Sequence, residues 1–98
     1  MKTDIIVLIP KGEGHRITAS EISQLTDING PTIRQIVNSS RANFVPIASD
    51  GNGYFIAETP DELDHTIAQL NSRIHKMIQA REGLKKAQRL MREANNGI

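Results

Sequence analysis

The sequence predicts a mainly α fold with one small β-hairpin and a long C-terminal helix, and three observations carry that expectation. Two capping boxes, Thr18 with Glu21 and Thr59 with Glu62, mark helix starts, each pairing a hydroxyl and a carboxylate with the other residue's backbone donor. The stretch Asp50-Gly51-Asn52-Gly53 sits between the β-prone runs Phe44–Ser49 and Tyr54–Ala57, which is hairpin composition, with Gly and Asn supplying positive φ in the turn. From Pro60 to about residue 95 nothing but Gly83 disfavours a helix.

Taken in order, the first element is Ile5-Ile6-Val7-Leu8-Ile9. Ile5, Leu8 and Ile9 suit one helical face, whereas five consecutive β-prone residues suit a buried strand; the helices that follow favour helix. Gly12-Glu13-Gly14 reads as a surface turn, because it lacks the third glycine and the Lys-Ser/Thr ending of a phosphate loop. Arg16-Ile17-Thr18 reads as a short strand. A helix from about Ala19 to Thr26 puts Ile22 and Leu25 on one face, and Asp27-Ile28-Asn29-Gly30 is a tight turn anchored by Ile28. Pro31 opens the next helix, in which Ile33, Ile36, Val37 and Ser40 face inward while Thr32, Arg34, Gln35, Asn38 and Arg41 face the other way. Pro46 puts its strand at a sheet edge.

The long helix begins with Pro60 at its first position and Asp61 near the positive end of the dipole. Leu63, Ile67, Leu70, Ile74 and Met77 recur at spacings of four and three; the pattern blurs around Ala80, Arg81 and Gly83 and resumes at Leu84, Ala87 and Met91. Such a stripe either packs on its own domain or pairs with a second copy. It extends beyond what so small a domain covers, so dimerisation through Leu63, Ile67, Leu70, Ile74, Met77 and Leu84 is the expectation. The domains expected are therefore residues 1–58, the helix 59–95 and a frayed tail 96–98.

Composition narrows the function classes. With 98 residues and no cysteine, the chain holds one modest core and no disulfide, thiolate metal site or cysteine nucleophile. Neither a signal peptide nor a membrane span is legible, and a cytoplasmic location is expected. His15, His65 and His75 have no ligand spacing, and the acids at Asp61 and Asp64 suit a helix start, so no metal, cofactor or catalytic arrangement is expected: the chain reads as a non-enzyme. Charge is unevenly spread. Residues 1–59 carry five Lys/Arg and six Asp/Glu, whereas residues 71–92 carry seven Lys/Arg against the single acid Glu82. That basic run is either a solvated helix face or a set of further phosphate contacts from Arg73, Lys76, Arg81, Lys85, Lys86 and Arg89.

The segments Ile17–Thr26, Pro31–Val37 and Gly53–Ile56, in the order helix, short strand, helix, turn, helix, hairpin, resemble a winged helix-turn-helix domain over residues 1 to 58. More narrowly, the chain resembles small winged-helix proteins of Gram-positive bacteria and their phages, in which such a domain precedes a helical tail. The resemblance implies double-stranded DNA as partner, with the second helix of the pair in the major groove and the wing on the adjacent backbone. Carried over to this chain, Thr32, Arg34, Gln35 and Asn38 would face base edges, Arg34 suited to guanine and Gln35 or Asn38 to adenine. Ser39, Arg41 and Asn52 would meet phosphates, as would free N–H groups at the helix start around Asn29, Gly30 and Thr32.

Two features depart from that pattern. The wing carries the acid Asp50 where Lys or Arg is usual, and the domain is net negative. The sequence-level expectation is thus a sequence-selective regulator of transcription or replication acting as a homodimer. The alternative is a protein-interaction adaptor whose domain and long helix dock a replication, transcription or phage assembly partner.

Overall fold

The computed structural model describes residues 3–96, so the end of the tail expected to fray, residues 97 and 98, lies outside the described residues. Its elements are α1 (Thr3–Leu8), α2 (Ala19–Thr26), α3 (Gly30–Ala42), β1 (Ile47–Asp50), β2 (Gly53–Ile56), a 3-10 turn over Pro60–Leu63 and α4 (Asp64–Asn96). The fold is mainly α with an antiparallel two-stranded hairpin and a long C-terminal helix. The chain divides into two compact units, one running to Thr66 and the other starting at Ile67.

The core of the first unit is aliphatic. Ile5 and Ile9 from α1 and the residue after it, Ile22 from α2, Ile33, Ile36 and Val37 from α3, and Ile47 from β1 form one buried cluster. The β-prone run at the start is helical because its Ile5 and Ile9, four residues apart, both reach that cluster while Val7 points to solvent. In α2 only Ile22 is buried; Leu25, expected beside it, is 67% exposed. The inward side of this short helix runs through Ala19, Ile22 and Thr26, and Leu25 lies off it.

Both sides of β2 are occupied. Ile17 N–H donates to the Tyr54 carbonyl at 3.0 Å and Tyr54 N–H to the Ile17 carbonyl at 2.8 Å. Farther along, Gly12 N–H donates to the Ile56 carbonyl at 2.9 Å and Ile56 N–H to the Pro10 carbonyl at 2.7 Å. The strand expected over residues 16–18 is therefore a single bridge at Ile17, since Thr18 already serves as the N-cap of α2. On the outer edge of β1, the Thr66 hydroxyl accepts from Ser49 N–H at 3.0 Å and donates to the Ser49 carbonyl at 3.1 Å. A buried threonine thus closes part of an edge that would otherwise present unpaired backbone groups.

The strands are shorter than expected. Phe44 and Val45 belong to the exit from α3, and the hairpin pairs Ile47 with Ile56 through Asp50 with Gly53, leaving Gly51 and Asn52 as the loop. The positive φ falls on Gly53, at 131°, and not on Asn52. A Cβ on Gly53 would lie 2.6 Å from the Ile17 carbonyl, so both conformation and the approach of the neighbouring bridge require glycine there.

The helix that starts at Pro60 opens with a 3-10 turn before becoming α-helical at Asp64, and it then runs unbroken through Gly83. Glu62 ties that start down: its carboxylate accepts from the N–H groups of Glu58 at 2.6 Å, Thr59 at 3.2 Å and Glu13 at 3.0 Å. Among the described residues, no helix is long and apolar enough to cross a membrane.

Candidate nucleic-acid interface

α3 is positioned by its own apolar stripe and by the turn before it. Ile33, Ile36 and Val37 are buried, which leaves the opposite side outside the core. α2 ends on Asp27 in the left-handed conformation, φ 61°, with its N–H donating to the Ser23 carbonyl. Ile28 packs against the core, and Asn29 caps α3, so three residues reverse the chain between the two helices. Asn29 Oδ1 accepts from Thr32 N–H at 2.9 Å. The Thr32 amide, expected to be open to a phosphate, is consequently taken by the cap.

On the outward face Arg34, Gln35, Asn38 and Ser39 are exposed, and Thr32 is half-buried at the start of the row. Arg41 is placed differently from the other expected contacts. Its Nε donates to the Ile47 carbonyl at 2.8 Å and its Nη2 to Ser49 Oγ at 3.1 Å, so the side chain fastens the end of α3 to β1.

The hairpin tip carries Asn52, exposed, with its N–H donating to Asp50 Oδ1 at 2.9 Å. The acid there is compensated. Arg16 meets Asp50 Oδ2 through both Nε and Nη2 at 2.8 Å, and its guanidinium also lies over the Phe55 ring, 5.4 Å from the centroid. The Asn52 N–H, more than the Arg16 guanidinium, holds the Asp50 carboxyl below the usual range. The negative charge that distinguished this hairpin in the sequence thus has its own counter-ion.

Sequence reasoning missed Phe44. It follows α3 by two residues, is 95% exposed, and has φ 72°, a region bulky side chains avoid. With Val7 and Leu25 it is one of the large apolar side chains that the first unit leaves in solvent. The signal that could have found it is the Asn43-Phe44 pair directly after the helix, where a glycine is the usual residue for a left-handed exit.

On α4 the expected phosphate contacts Arg73, Lys76, Arg81, Lys85, Lys86 and Arg89 are all exposed. Glu82 draws in two of them, Arg81 at 3.4 Å and Lys85 at 3.6 Å. Of the expected seam, Ile67, Ile74, Met77 and Leu84 are between 52% and 72% exposed, and Leu63 and Leu70 are half-buried. Among the described residues no group of three or more His, Cys, Asp or Glu is arranged to hold a metal ion.

No protein-family model matches the chain, and no curated protein or solved structure is significantly similar to it.

Proposed function

We propose that this chain is a winged helix-turn-helix protein that binds double-stranded DNA sequence-selectively as a homodimer, in transcription or replication control of a bacterium or phage. The observation that carries the reading is the outward row of α3. Arg34, Gln35, Asn38 and Ser39 are exposed on a helix whose opposite side is fixed by three buried aliphatics. A rigid helix with guanidinium and amide groups on its free face suits base-edge hydrogen bonding in the major groove. Arg34 reads guanine, Gln35 and Asn38 read adenine, and Ser39 meets phosphate. The hairpin serves as the wing, and its Arg16–Asp50 pair removes the repulsion that an unpaired acid would bring to the DNA backbone. Arg41 supports the reading helix, its Nε and Nη2 holding β1.

Affinity then leans on the basic residues of α4, because residues 1–59 carry one more acid than base. Enrichment of a random double-stranded pool by the full chain tests the proposal. A two-fold-related motif with a guanine-dependent position is expected; a pool that stays unenriched argues against sequence reading.

One observation favours a second reading, the adaptor. Phe44 is almost fully exposed in a strained conformation, and an aromatic side chain so displayed suits a partner's pocket.

A further inference from the structure

We propose that the occupant of the exposed α4 face is a second copy of this chain lying antiparallel to the first, with Ile67 against the partner's Leu84 and Ile74 against the partner's Met77. This rests on the dimer part of the reading above and adds its direction and register.

Charge and bulk are unevenly distributed along the helix. The start holds Asp61, Glu62 and Asp64 and no Lys or Arg, whereas residues 73–92 hold seven Lys/Arg. Bulk is divided the same way. Leu63, Ile67, Leu70 and Ile74 make the first half of the stripe continuously aliphatic. In the second half the same heptad positions bring Arg81 and Gln88 between Met77, Leu84 and Met91. There the helix has a shallow, mainly apolar dent lined by Met77, Ala80, Arg81, Leu84, Lys85 and Gln88.

A parallel pair sets like against like. Arg81 would face the partner's Arg81 inside the seam, the small Ala80 would leave each dent facing the other, and the two basic halves would lie side by side. An antiparallel pair sets each half against its complement. The aliphatic stretch from Leu63 to Ile74 fills the partner's dent, and the Arg81 stem lies over the partner's Leu70 with its head at the seam's edge. Asp64, at the first turn of α4, comes beside the partner's Lys85. The result keeps a two-fold axis, as a homodimer requires. Charge pairing along the seam selects orientation against the parallel alternative.

The chain has no cysteine, so a single Cys substitution supplies the only thiol. Ile67→Cys and Leu84→Cys are prepared separately, checked by light scattering for the dimer of the unaltered chain, and oxidised alone and mixed. A disulfide-linked dimer is expected in the mixed sample and not in either variant alone. Linkage of each variant to itself, with none between them in the mixture, means a parallel pair and overturns the proposal while leaving dimerisation intact. A monomer in light scattering of the unaltered chain overturns both. Should either variant lose the dimer, Lys86→Cys on the outward side, spin-labelled, gives the same decision. The antiparallel register separates the two Lys86 positions by about 31 Å along the axis at 1.5 Å per residue, and a parallel pair brings them level.

Discussion

Arg34 and Arg41 lie seven residues apart on one helix and do different work. Arg41 is engaged with β1 through Ile47 and Ser49, whereas Arg34 is exposed. Arg41→Ala is expected to lower stability by about 1–3 kcal/mol, since it removes charged hydrogen bonds to a half-buried strand. Arg34→Ala is expected to leave the thermal midpoint unchanged and to relax the preference at one base pair by about 1–3 kcal/mol in a binding titration. Phe44 gives the opposite kind of expectation. Its ring buries almost nothing while its backbone sits at φ 72°. Phe44→Gly is therefore expected to raise stability by about 0.5–1 kcal/mol, seen as a higher thermal midpoint, once the flexibility of glycine is offset against the relieved strain. A lower midpoint would mean that the ring is held by contacts. If the adaptor reading holds, the same variant loses its partner while gaining stability.

At the scale of elements, three carboxylates among the described residues contribute to the response to acid. Glu21 accepts from Thr18 N–H, Asp50 from Asn52 N–H, and Glu62 from the N–H groups of Glu58, Glu13 and Thr59; these bonds hold all three carboxyls below their ordinary values. A carboxyl lowered on folding adds stability that is fully present above its unfolded value and disappears as pH falls through its folded one. The thermal midpoint is thus expected to be insensitive to these groups near neutrality and to fall as pH drops below about 4.5. Glu62→Gln, which keeps the shape and removes the charge, should flatten part of that fall; an unchanged acid profile would mean that the carboxylate is not the staple of the 3-10 turn. Much of this level was legible beforehand. Thr18 with Glu21 is a local pattern read within one helix turn, and the buried face of α3 follows from its period. The contacts that escaped are those made across the chain: Thr66 on Ser49, Arg41 on Ile47 and Ser49, Arg16 on Asp50. None has a spacing rule, because each depends on where two separate elements meet. Leu25 misled for a related reason, since a two-turn helix offers too few positions to fix which of its apolar residues faces the core.

At the scale of the whole molecule, charge is separated along the chain. Residues up to 59 carry the polar row of α3 and a slight excess of acid, and the helix beyond carries the basic run. Under the proposed function, the first part contributes selectivity and the second the nonspecific attraction that brings DNA within reach. The candidate row on α3 was visible in the sequence as the polar side of an amphipathic helix; the compensation of Asp50 by Arg16 was not, because the partners lie on different segments. The most direct measurement is a polarisation titration of the full chain against a labelled double-stranded fragment at several salt concentrations. DNA binding through phosphate contacts predicts affinity at low salt that falls linearly with the logarithm of the salt concentration. No binding at low ionic strength, or binding that salt leaves unchanged, would contradict it.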